Sequence, residues 1–115
     1  LREFMHVDDL GEASVFVLEN WNPSLNNSPL NDDGKPLTYL NVGTGIDISI
    51  KGLAEKIAFH TGFTGKIIWD KSKPDGTPKK QLDINRILQM GWKPIIDLDS
   101  GILDTISSFR NQYIK

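Results

Sequence analysis

Apolar residues recur at helical spacing in four places along the chain, and three shorter runs have the composition of strands. Leu10, Ala13, Val17 and Trp21 keep a three-to-four-residue rhythm, and Val15, Phe16 and Leu18 fill the remaining faces. The pattern predicts a first helix that is apolar nearly all round and buried on several sides. Asp9 and Glu12 have the spacing of a capping box at its start. Ser49 stands where a second helix would be capped, with Leu53, Ala54, Ile57 and Ala58 on one face and Gly62 or Gly65 as its stop. Asp83 is the expected cap of a short third helix bearing Ile84, Ile87 and Leu88, and Gly91 fits its C-terminal glycine position. Asp97 or Asp99 opens a fourth, whose expected buried face is Ile102, Ile106, Phe109 and Tyr113. Arg2 to His6, Thr38 to Val42 and Lys66 to Asp70 are the strand candidates. About four helices and three short strands make an α/β chain with a thin sheet. The segment from Asn20 to Leu37 is rich in Asn, Pro and Ser and reads as a loop, with a turn at Asp33-Gly34.

Composition narrows the function classes. The chain has 115 residues, enough for one small domain, with 38% hydrophobic and 24% charged residues. A formal net charge of −2 does not suit nucleic-acid binding, which needs a strongly basic face. No apolar run has membrane-helix length, so no membrane partner is expected. No signal peptide is visible, and with no cysteine the chain offers neither thiolate ligands nor a thiol nucleophile, which fits a cytoplasmic protein. The sequence opens at Leu1 inside a strand-like run, which reads as part of a longer polypeptide.

The densest chemistry lies at Lys73 to Lys80, which reads Lys-Pro-Asp-Gly-Thr-Pro-Lys-Lys. Two prolines and a glycine forbid regular structure, and three lysines surround one aspartate. A stiff cationic loop on a folded scaffold suits an anionic ligand such as a nucleotide diphosphate. Arg2, on an otherwise apolar run, offers a fork for phosphate or ribose oxygens. Gly43-Thr44-Gly45 invites a dinucleotide reading but fails it, because the third glycine position holds Ile48 and Asp47 would repel a phosphate. His6 and His60 lack a third ligand at metal-like spacing, so no metal is expected. Trp69 and Trp92 read as core residues rather than as base-stacking platforms.

Several segments together resemble one family. Residues 2–10, REFMHVDDL, are similar to a stretch shared by extended short-chain dehydrogenase/reductases that act on nucleotide sugars. So are LNVGTG at 40–45 and LAEKI at 53–57. Residues 69–83, from Trp69 through the proline-lysine loop to Asp83, resemble a stretch specific to the GDP-L-fucose synthase family, and GWKP at 91–94 resembles that family's next segment. Lys79 stands where the family has arginine and Gln81 where it has leucine.

The resemblance implies that residues 1–115 are the C-terminal, GDP-sugar-binding portion of such an enzyme, with 20–37 as a variable loop. It implies a whole enzyme that epimerises C3 and C5 of GDP-4-keto-6-deoxy-D-mannose and reduces the C4 ketone with NADP(H). The NADP-binding Rossmann domain, the catalytic groups and most contacts of the family's homodimer would lie outside this chain. This chain would then carry no catalytic residue and no cofactor, and would be inactive alone. Arg2, Lys66, Asp75 and Lys80 match substrate-binding positions. A sister nucleotide-sugar epimerase or dehydratase, or a free-standing nucleotide-binding module, is the alternative.

Overall fold

The computed structural model describes residues 1–24 and 28–114; part of the expected 20–37 loop, residues 25–27, lies outside them. Two short strands and four helices follow in the order β1 (Arg2–Glu3), α1 (Val7–Asn20), β2 (Asp47–Ile48), α2 (Ile50–Thr61), α3 (Asn85–Gln89) and α4 (Leu98–Tyr113). The four expected helices are all present. Ser49 caps α2 through the Gly52 amide, and Gly62 ends it at φ 73°, a conformation open to glycine without steric cost. Asp97, not Asp99, caps α4 by accepting from the Ser100 amide. Asp83 does not cap α3: the cap position falls one residue later, on Ile84, which has no side-chain acceptor, and Asp83 Oδ1 accepts from the Asn85 amide beside it. The turn expected at Asp33-Gly34 forms between a bridge of Leu30 with Pro36.

The strands depart from expectation. β1 pairs antiparallel with β2, placing Arg2 opposite Ile48 and Glu3 opposite Asp47. Thr38 to Val42 and Lys66 to Asp70 are not strands, although their composition favours extended structure. A strand needs a neighbour for its amides and carbonyls, and the described residues supply none to either segment. Trp69 is 46% exposed for the same reason, whereas Trp92 is core as expected.

Asp9 does not cap α1. That position belongs to His6, whose Nδ1 accepts from the Asp8 amide. Asp9 instead is buried and accepts from the Ile95 and Ile96 amides at 3.2 and 3.0 Å, tying α1 to the approach to α4. Two charge-assisted acceptor bonds make that burial tolerable. The core gathers Ala13 of α1, Ile84, Ile87 of α3 and Trp92, with Met5, Phe16, Val17 and Val42 packed on it. Only this side of α1 is covered: Val7, Val15 and Leu18 stay exposed, Leu18 at 84%, so the expectation of burial on several sides is not met.

On the other flank α2 packs against α4. Asp99 accepts from Lys56 Nζ at 2.6 Å and pairs with His60 Nε2 at 2.7 Å, and these two partners, Lys56 first, hold its carboxyl below the ordinary value. On α4, Ile102 and Ile106 are half-buried as expected, but Phe109 and Tyr113 are exposed and stack on each other at 5.0 Å.

The chain as a whole is spread out. Its radius of gyration is 18.1 Å, against about 13 Å for a compact domain of this length. Its accessible surface is 8891 Å², against roughly 6,300 Å² for a folded monomer of this mass. No helix among the described residues is long and apolar enough to cross a membrane.

Candidate functional site

The two adjacent residues of β1 reach to opposite sides of the strand, as successive strand side chains must, and both end on the same loop. Arg2 Nη1 donates to the carbonyls of Thr77 at 2.6 Å and Leu1 at 2.7 Å. A Cβ on Gly76 would stand 3.0 Å from Arg2 Nη2, so the glycine lets the guanidinium lie against the loop backbone. Lys80 continues the contact, forming a parallel bridge with Arg2 and donating its amide to Leu1 O at 3.1 Å.

Glu3 performs the second capture. Its Oε1 accepts from the Thr44 and Gly45 amides, both at 2.6 Å, and its Oε2 accepts from the Leu82 amide at 2.9 Å. Burial pushes this carboxyl up, but the Leu82, Gly45 and Thr44 amides together outweigh it and hold it below its ordinary value. Gly43 makes room: a Cβ there would meet Glu3 Oε1 at 2.5 Å. Two acids face each other across the β1–β2 pair, which would repel if both were free. Glu3 is taken up by amides, and Asp47 Oδ2 lies 3.4 Å from Lys79 Nζ. That pair is ionic only, for the oxygen accepts no hydrogen bond.

These contacts shape a cleft of about 890 Å³, within the roughly 300–1,000 Å³ usual for ligand sites. One wall is Thr44 and Gly45; the other runs from Lys79 to Asn85. Gln81 Nε2 joins the walls by donating to Gly45 O. Two lysines, Lys79 and Lys80, are among the residues that line the cleft. A second cleft, of about 340 Å³, lies between α2, α4 and the residues after β1, and is lined by apolar side chains such as Met5, Leu53, Ile57 and Ile102. It contains no lysine or arginine to meet a phosphate.

Of the four residues expected in a substrate site, Arg2 and Lys80 are brought together. Asp75 sits beside Gly76, hence close to the Arg2 guanidinium, but is exposed. Lys66 is exposed, and of the four only Lys80 is among the residues that line the cleft. Neither Lys66 nor Asp75 takes part in an ion pair among the described residues. Glu3, Thr44, Gly45 and Gln81 were not foreseen as site residues. A polar side chain on an otherwise apolar extended run singled out Arg2, and the same signal applied to Glu3.

Gly43-Thr44-Gly45 does not fit a dinucleotide: the Thr44 and Gly45 amides that would greet a phosphate are committed to Glu3. His6, Asp8 and Asp104 bring potential metal donors within 4.8 Å of one another. His6 Nδ1, however, is occupied as the cap of α1, and Asp8 and Asp104 are exposed.

No protein-family model matches the chain. Among curated proteins, the GDP-L-fucose synthase of Escherichia coli is 43% identical over 110 residues, which are 95% of this chain and 33% of that protein. The chain is homologous to the GDP-L-fucose synthases. It spans about a third of the length of the curated relatives it matches, from 28% to 33% for the first three. Its fold is found in a GDP-6-OMe-4-keto-L-xylo-heptose reductase from Campylobacter jejuni, with TM-score 0.84 and 33% identity over 96% of this chain and 31% of that one. It is found again in a GDP-D-glycero-L-gluco-heptose synthase of the same organism, solved in the presence of NADPH, with TM-score 0.78 and 32% identity over 95% and 30%. The homology to GDP-L-fucose synthases and the two likenesses of fold thus all lead to proteins named for GDP-sugars.

Proposed function

We propose that this chain is the GDP-sugar-binding portion of a GDP-L-fucose synthase. In this reading the whole protein epimerises C3 and C5 of GDP-4-keto-6-deoxy-D-mannose and reduces its C4 ketone. The observation that carries the reading is the capture of the proline-lysine loop by Arg2. Two segments that resemble the family in sequence meet in space, where the Arg2 guanidinium binds the loop at Thr77 and the Arg2 backbone pairs with that of Lys80.

Arg2 Nη1 is spent on backbone carbonyls, which leaves Nη2 and Nε for an anion. Lys80 supplies a second positive charge, so the pair matches the diphosphate. Asp75 accepts from guanine or ribose donors, and Lys66, outside the cleft lining, contributes only long-range positive charge. The GDP half of the substrate is remote from the reacting carbons. Its binding energy serves to place the sugar, and a positioned sugar gains most of what proximity can give. The groups that move protons and the nicotinamide cofactor belong elsewhere in the protein, so the chain by itself binds without turnover. The resemblance further supports a cytoplasmic homodimer.

Titration of the whole protein with GDP and UDP, followed by product analysis on GDP-4-keto-6-deoxy-D-mannose, tests this. GDP preference with GDP-L-fucose as product is the expected result. UDP preference would overturn it. A reduced GDP-heptose as the better product would move the protein to the sister group represented by the two Campylobacter structures, a reading their TM-scores of 0.84 and 0.78 favour as second choice.

A further inference from the structure

Glu3 touches both walls of the cleft with one carboxylate. Oε1 holds the Thr44 and Gly45 amides, which form the first wall, and Oε2 holds the Leu82 amide in the second. We infer that Glu3 is a positioning residue: it fixes the width of the cleft and thereby where Lys80 stands toward the nucleotide diphosphate. The inference rests on the proposed GDP-sugar site.

Three N–H donors converge on this side chain, and only an ionised carboxylate has acceptors for all of them without a donor of its own. Glutamine, of the same size, would turn an NH₂ group toward an amide N–H and lose one wall. Aspartate, one methylene shorter, would not span the gap. Lys80 lies two residues before the Leu82 anchor, and its own amide is bound to Leu1 O, so the lysine backbone is held on both sides. Gly43 belongs to the same device, since a Cβ there would meet Oε1 at 2.5 Å and displace the carboxylate without removing its charge.

The test is a double-mutant cycle in the whole protein, with GDP affinity read by calorimetry for wild type, Glu3→Gln, Lys80→Ala and the double variant. Glu3→Gln is expected to weaken GDP binding about tenfold, in line with loss of a hydrogen bond to a charged group. In the Lys80→Ala background the same change should cost less than about twofold, because a residue that acts through Lys80 has nothing left to position. The turnover number at saturating GDP-sugar should stay within about threefold of wild type while KM rises. A purely structural role would lower thermal stability and give the same loss of affinity in both backgrounds, and that outcome overturns the inference. Wild-type affinity in Glu3→Gln overturns it as well. Should Glu3→Gln fail to fold, Gly43→Ala displaces the carboxylate sterically, and the same cycle with Lys80→Ala applies. Failure of the wild-type protein to bind GDP at all would remove the proposed function itself, an outcome distinct from failure of the Glu3 inference.

Discussion

The proline-lysine loop has two halves that differ in what holds them. From Lys66 to Gly76 every residue is exposed, and the one internal tie is local: Asp70 accepts from the amide and hydroxyl of Ser72, which hold its carboxyl below the ordinary value. From Thr77 to Leu82 the backbone is caught at Thr77 by Arg2, at Lys80 by Leu1 O and at Leu82 by Glu3, and the Gln81 side chain adds a tie by donating Nε2 to Gly45 O. Both halves are exposed and polar, and both contain lysines. What separates them is that β1 hydrogen-bonds the second half alone and touches the first only at its end, where Gly76 lies against the Arg2 guanidinium. A charged loop becomes a site where a rigid element fixes its charges, because an unfixed side chain must lose its freedom when the ligand arrives.

The sharpest way to break this contrast is to remove Arg2, which holds the loop and, in the proposed site, also meets the ligand. Arg2→Ala in the whole protein should raise KM for the GDP-sugar by about 100-fold, since charge-assisted contacts to the diphosphate and the loop anchor go at once. The turnover number at saturation should change far less. A rise in KM below about threefold would show that the anchored half is not where the nucleotide binds.

Lys80→Ala comes next, with an expected rise of about tenfold, against about threefold for Asp75→Ala and less for Lys66→Ala. Steady-state kinetics on the three variants reads the comparison directly. A larger effect from Asp75 or Lys66 than from Lys80 would reverse the roles of the halves. An unchanged KM in both Asp75→Ala and Lys80→Ala would defeat the site.

Acid should loosen the anchored half at a predictable point. The folded Glu3 carboxyl titrates below its ordinary value of 4.5. A depressed carboxyl contributes its stabilisation above the unfolded-state value and loses it as pH falls through the lower, folded one. The Leu82 and Gly45 amide signals in NMR should therefore shift together, with one shared midpoint below 4.5. In Glu3→Gln that common titration should vanish. A shared midpoint at or above 4.5, or separate midpoints, would mean that no single carboxylate joins the two walls.

Much of this was legible in the sequence, and the failures share one cause. Ser49, Gly62, Asp97 and Gly91 announced helix ends because caps and left-handed glycines are local devices, set by a residue and its near neighbours. Gly91, at φ 104°, closes the turn after α3 just where its position implied. Thr38–Val42 and Lys66–Asp70 have strand composition and no strand, since pairing depends on a neighbour that composition does not supply. Asp9 looked like a cap and became a clamp on Ile95 and Ile96, a contact some 86 residues away in the chain that no local pattern encodes. Arg2 and Lys80 stood out by chemistry, yet their meeting depends on β1; Glu3 carried the same local signal as Arg2, but its partners are backbone amides about 41 and 79 residues away that no side-chain pattern marks.

The smallest expected effect concerns Lys79, which shares the cleft rim with Lys80 but is held by a charge rather than by the backbone. Its ammonium group lies 3.4 Å from Asp47 Oδ2 without hydrogen-bond alignment, and more than half of its side chain is exposed. Pairs of that kind contribute about 0.2–1 kcal/mol, and salt screens them further. Lys79→Ala should therefore move KM for the GDP-sugar by less than about threefold, and the difference should shrink as salt rises from low to physiological strength. Asp47→Asn should be equally mild, because it frees the lysine without moving the loop. An effect of Lys79→Ala as large as that of Lys80→Ala would show that the backbone anchors are not what distinguishes a working lysine here. The rim would then act as a diffuse positive field, and fixing the loop would matter for stability more than for recognition.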